Sequence, residues 1–421
     1  MKKFFALLAV AMLAFVLVAC GGTGTGTGTG NGGTTGKTIK LTYSGTGSDK
    51  DFNESLFEDF KAYKKSQGDT TNYVIEYVEH GPDAVDSEVL DWAAPNAPDV
   101  YEFASDKIGV LNAKGALAKI TGDYKTFIET EMTDFTKDLV TIQGEYYAYP
   151  YNGDNTYYLQ YDGSVFAPED VVTIEGLLDK AQELGKKVAY NLGTAYWGGG
   201  ALFTFGADFA ITYDEDGNVA EIAADFDSEA GLKAAKAIYK IVNHPAWVND
   251  SGVPAPDSDV AAVIGGTWDI IKFKERWADY YQCAVMPTVT IDGDTQHLGC
   301  FLGGKTFGVN PQVSQNNVDR FVAANELAKY LAGHDAQTKR YLERDIFPCI
   351  KSALSHPDME GSQNVAVLEA QFAYARIQTA VPANFWTAPT TLVEGIINGT
   401  YTADTLQLAC DNLNEAIKQS K

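Results

Sequence analysis

Two hydrophobic periodicities, alternating along the chain, restrict its fold more than any other feature. Ile39, Leu41 and Tyr43 alternate with polar residues, the two-residue repeat of a half-buried strand. Phe52, Leu56, Phe57, Phe60 and Tyr63 then recur at helical spacing. Residues 73–79 read as a second strand, 84–94 as a helix and 98–103 as a third strand. This strand–helix–strand order predicts α/β lobes with a largely parallel sheet. Further helices are expected near 175–185, 228–243, 318–333, 335–344, 362–375 and 404–419. Asp216-Gly217 and Asp292-Gly293 sit between strand-like runs and read as hairpin turns. The chain exceeds the roughly 250–300 residues at which one core stops growing, so two lobes are expected.

The start of the chain carries its own signal. Lys2 and Lys3 precede an apolar run from Phe4 to Val18, which ends at Ala19, Cys20 and Gly21. A charged start, a short apolar core and small residues at its end define an export signal over residues 1–19. The placement of Cys20 resembles the lipobox of bacterial lipoproteins, which implies cleavage before Cys20 and a lipid on its sulfur. Residues 21–36 hold only Gly, Thr and Asn31, so the 20–37 segment is read as a flexible tether. Such a segment spans roughly 20–25 Å, enough to lift a globule off a bilayer.

A net charge of −24 opposes nucleic acid or an anionic membrane surface as the target and suits an uncharged ligand. No Cys-x-x-Cys pair or metal-ligand spacing occurs, so neither metal nor other cofactor is expected. Cys283 and Cys300, flanking an expected hairpin, are the one cysteine pair worth checking for a disulfide. Residues 299–306, GCFLGGKT, match the phosphate-loop pattern. That loop needs a helix starting at its lysine, and Gly308 and Pro311 oppose one, so a glycine-rich crossover between lobes is the better reading. Asp214, Asp216 and Asn218 begin like a calcium loop, but Val219 occupies the place of the required glycine.

Aromatic residues cluster beside small or carboxylate residues in three places: Tyr196-Trp197, Trp268-Asp269 and Phe385-Trp386. A sugar ring offers an apolar C–H face that packs on flat rings, and a rim of hydroxyls that needs fixed carboxylates and amides. At these residues, and in order from about 38 to 420, the chain resembles the maltose/maltodextrin-binding proteins, within the extracellular carbohydrate-binding proteins of ABC importers. Asp49-Lys50, followed by Phe52-Asn53, resembles that family's first sugar-contacting loop. Residues 99–107, DVYEFASDK, resemble the segment that supplies an aromatic, an acid and a base, here Phe103, Asp106 and Lys107. Asp154 matches the carboxylate on the strand leaving the first lobe. Tyr196 after Asn191-Leu192, Trp268 in GGTWDII and Trp386 after Pro382 match three stacking rings. Phe103, Thr194 and Thr390 stand where the family has tryptophan, glutamate and arginine, which leaves linkage and chain length open.

The resemblance implies a two-lobe periplasmic-binding-protein-like α/β fold of the maltose-binding type, with three crossings near 152–156, 298–304 and 350–356. The first lobe would comprise 38–152 and 303–352, the second 153–302 and 353–421. It implies hinge closure on an oligosaccharide, with malto-oligosaccharides favoured, and no catalysis. It also implies delivery to the permease subunits of an ABC transporter by a monomer at the outer face of the membrane. A same-fold binder of another small solute, a secreted glycosidase and a surface adhesin are the competing readings; a glycosidase's carboxylate pair has no sequence spacing of its own.

Overall fold

A computed structural model describes residues 37–214, 219–312 and 317–420. The signal, Cys20, most of the tether and the Asp216-Gly217 turn lie outside them, as do two of the three residues that resemble a calcium loop. Two sheets organise the rest. The first runs Asn72–Glu79, Thr38–Gly45, Val100–Ala104, Lys305–Val309, Tyr149–Pro150. Its first three strands are parallel, as the alternating periodicities predict, and Lys305–Val309 returns antiparallel to Val100–Ala104.

The second sheet is built around Asn155–Asp162, whose side chains are buried along nearly its whole length. Val260–Gly266 pairs antiparallel with one edge of this strand, while Tyr281–Ala284 and Cys300–Gly303 share the other. Each sheet has its own core: one drawn from residues 39–151 and 307–353, the other mostly from 157–302 and 385–417. The chain therefore passes between sheets at 151–154, at Gly304 and after Leu354. The GCFLGGKT run is two strands of different sheets joined by Gly304, with no helix at Lys305.

Most expected helices form, among them Ile174–Glu183, Glu229–Val242 and Leu406–Lys418. The Glu229–Val242 helix starts where Ser228 Oγ accepts the Gly231 N–H at 3.4 Å. The helix expected over 84–94 is corrected to a single turn, Val85–Glu88. Val85, Val89 and Trp92 are buried at helical spacing, but Leu90 is 88% exposed and the chain turns before Pro95 and Pro98. Asp292 and Gly293, at φ of 52° and 82°, make the expected hairpin turn between Thr288–Ile291 and Asp294–His297. The four described cysteines are free thiols. Cys283 Sγ donates to Asn364 Oδ1, and Cys300 Sγ accepts from Gln371 Nε2. Burial pushes both thiols up to about 12.

The helix Ala195–Ala201 carries Tyr196 and Trp197, and its glycines let it lie close on the second sheet. A Cβ on Gly200 would fall 1.9 Å from Tyr157 Oη and 3.2 Å from the Cys300 backbone. We expect Gly200→Ala to destabilise the fold by about 1–3 kcal/mol through overpacking, read as a lower melting temperature. An unchanged melting temperature would contradict this packing.

Candidate functional site

The second lobe presents a wall of rings. Tyr196 comes from the short helix, Trp268 from the turn Thr267–Asp269 after Val260–Gly266, and Trp386 from the turn Ala383–Trp386. Tyr196 lies 6.1 Å from Trp268. It stacks near-parallel on Phe301 at 5.8 Å, and Phe301 lies 5.7 Å from Trp386. Tyr196 and Trp268 are thus direct neighbours, and Trp386 joins them through Phe301. Trp197, 5.1 Å from Tyr196 and 6.1 Å from Trp268, belongs to this wall too. Trp268 is the outermost, 42% exposed, while Phe301 is fully buried behind the wall. Tyr196 is fixed at both ends: its hydroxyl donates to Asn155 O at 3.1 Å, and its carbonyl accepts from Tyr157 Oη at 3.0 Å.

The first lobe supplies charge. Asp49 Oδ1 accepts from Arg344 Nη2 at 2.5 Å. The Lys50 ammonium lies 3.9 Å from Glu79 and 5.9 Å from the Tyr77 ring centre. Lys107 pairs with Asp86 at 3.5 Å. Asp106 Oδ1 accepts from Gln378 Nε2 at 2.9 Å, a bond between a first-lobe carboxylate and the second sheet's Ala375–Ile377 edge. At the crossings, Asp154 Oδ2 accepts the Phe347 N–H at 2.8 Å. Burial raises both Asp106 and Asp154 to about 7, against their lysine neighbours and hydrogen bonds, which pull the other way.

Phe103 is not part of this arrangement, and the expectation of a platform there is corrected. Its strand lies inside the first sheet, its ring packs 5.8 Å from Tyr101, and no face of it is open. The sequence reading also missed Phe301, Gln378, Arg344 and the cation Lys305. Lys305 was visible only as the lysine of a false phosphate loop. A cavity of about 680 Å³ opens elsewhere, beside the third crossing between Phe135 and Phe372, and none of the wall's rings line it.

Two α/β lobes joined by three crossings, with a group of rings on the second lobe, define a two-lobed binding protein. The chain belongs to the family of bacterial extracellular solute-binding proteins, whose pattern matches residues 57–367. It is similar to the maltodextrin-binding protein MdxE of Bacillus subtilis, 24% identical over 99% of this chain and 98% of that protein. It is also similar to a galactooligosaccharide-binding protein of Bacillus subtilis, 20% identical over 74% of each chain. A solved structure with acarbose superimposes with a TM-score of 0.79, covering 91% of this chain and all of that one at 24% identity. Among the described residues no helix is long and apolar enough to cross a membrane.

Between the unfolded and folded pKa values, here 3.8 and about 7, a buried carboxyl binds more protons folded than unfolded. Asp154 therefore makes stability fall as pH rises from about 4 to about 7. Asp154→Asn keeps an acceptor for Phe347 N–H and cannot ionise. We expect its melting temperature to gain on wild type as pH rises across that window; parallel pH profiles would contradict the assignment.

Proposed function

We propose that this chain captures malto-oligosaccharides outside the cell by hinge closure and hands them to the permease subunits of an ABC importer. One observation carries the reading: the rings of Tyr196 and Trp268 are neighbours in the second lobe, and Trp386 joins them through Phe301. Asp49, Lys50, Asp106 and Lys107 supply charged groups from the first lobe, and Asp154 from the crossing. The rings take the C–H faces of successive sugar units and the charged groups take their hydroxyls. A solute touched by both lobes favours the closed arrangement and shifts the hinge equilibrium toward it, without covalent change. Residues 38–152 with 303–352 and 153–302 with 353–421 are the moving bodies, working as a monomer. The similarity to a maltodextrin-binding protein across nearly the whole chain supports the choice of sugar. The galactooligosaccharide-binding relative, with Thr194 and Thr390 in place of family polar groups, supports a second reading: another oligosaccharide in the same cleft.

Calorimetry tests this with maltose, maltotriose and longer malto-oligosaccharides, and with sucrose, xylobiose, raffinose and galacto-oligosaccharides as comparators. We expect Trp386→Ala and Tyr196→Ala each to lose about 1–3 kcal/mol, the scale of base stacking on aromatic rings, with an unchanged circular dichroism spectrum. Absence of heat with the glucan series would overturn the choice of sugar. Unchanged affinity in both variants would overturn the cleft.

Residues 1–19 we read as the export signal, Cys20 as the lipid attachment and 20–37 as the tether to the outer face of the membrane. Cys20→Ala is expected to move the protein from the membrane fraction to the medium; retention would contradict the anchor.

A further inference from the structure

Lys305 opens the strand Lys305–Val309 directly after the second crossing, and its N–H donates to Asn152 Oδ1 at 2.6 Å on the first. It thus sits where two crossings meet, beside Asp154. Its side chain keeps 19% of its surface exposed. Its nearest anionic partner is Glu102 Oε1 at 3.6 Å, beyond hydrogen-bond length, and no acceptor among the described residues takes any of its three N–H groups. Glu102 is 2% exposed, and Oε1 itself has no hydrogen-bond partner. A buried carboxylate oxygen without a hydrogen-bond partner is rare, because it costs free energy, and the ammonium beside it keeps its N–H groups available to an incoming acceptor. Glu102, Asp49, Asp83 and Asp154 together outweigh the effect of burial on Lys305 and raise its pKa, so the ammonium stays charged.

We propose that Lys305 is a further ligand-binding residue on the cleft floor, donating to a hydroxyl of an uncharged sugar ring, with Glu102 as its buried positioning partner. The ammonium donates to the hydroxyl oxygen, and the carboxylate behind it holds the ammonium charged and in place. The pairing rests on the oligosaccharide reading above and assigns it a subsite. It also couples the ligand to the hinge, since Lys305 is tied through its own backbone to Asn152.

The test compares wild type, Lys305→Met and the double variant Glu102→Gln/Lys305→Met by calorimetry against the same sugar panel, with melting temperatures alongside. The double variant guards against misfolding, because it removes the charge that the single change would strand on Glu102. We expect both to bind the preferred sugar about ten- to a hundredfold more weakly, the scale of charge-assisted hydrogen bonds, with the double variant melting near wild type. A wild type that binds and a double variant of equal affinity would overturn the Lys305–Glu102 assignment alone. A wild type that binds a galacto-oligosaccharide but no glucan, with weakened variants, would support the pair while overturning the sugar. A wild type that binds nothing in the panel would overturn both.

Discussion

Three passes of the chain lie against one another where the lobes meet, and the remaining architecture hangs on that contact. Asn152 receives the Lys305 N–H, and a Cβ at Gly304 would come within 2.5 Å of the Asn152 carbonyl. Gly153 N–H points to Phe347 O at 3.4 Å, and Phe347 N–H returns to Asp154. Thr156 Oγ1 donates to Phe301 O at 2.5 Å just beyond. At Gly304 the backbones are packed closely enough that no larger residue fits without a shift. Each sheet also takes one strand from either side of the contact. Tyr149–Pro150 and Lys305–Val309 are neighbours in the first sheet, and Asn155–Asp162 and Cys300–Gly303 in the second. The relative placement of the lobes is therefore set by shared strands together with short bonds between backbone and side-chain groups of the crossings.

The same contact explains why polar groups gather there. Gln378 donates to Asp106, accepts from Asn155 Nδ2 at 3.1 Å, and its carbonyl takes the Ser105 hydroxyl at 2.8 Å. One glutamine thus links the lobes through two bonds, to Asp106 and Ser105, while the third ties it to Asn155 of its own sheet. Carboxylates held in such a place lose hydration, which raises Asp106 and Asp154 to about 7.

Much of this was legible before any coordinates. The two-residue repeat at Ile39–Tyr43 and the helical repeat after it gave the parallel half of the first sheet, and Asp292-Gly293 gave a hairpin because only certain residues accept two positive φ values. Tyr196, Trp268 and Trp386 were legible as a set because the resemblance ordered them. Phe103 was not, for a physical reason: a strand inside a sheet covered on both faces buries every residue, so alternation cannot tell a core ring from a cleft ring. The turn after Glu88 escaped notice because Val85, Val89 and Trp92 keep helical spacing although the backbone does not. Lys305 and Glu102 were illegible because they are 203 positions apart and meet only across paired strands.

Tyr196 differs from the other two rings in one respect. Its hydroxyl holds a carbonyl of the first crossing, Asn155 O, while no hydrogen bond ties Trp268 or Trp386 among the described residues to the crossings. A change at 268 or 386 therefore alters recognition without disturbing the joint. A change at 196 alters recognition and mechanics together, so drift at that position must be matched elsewhere in the joint.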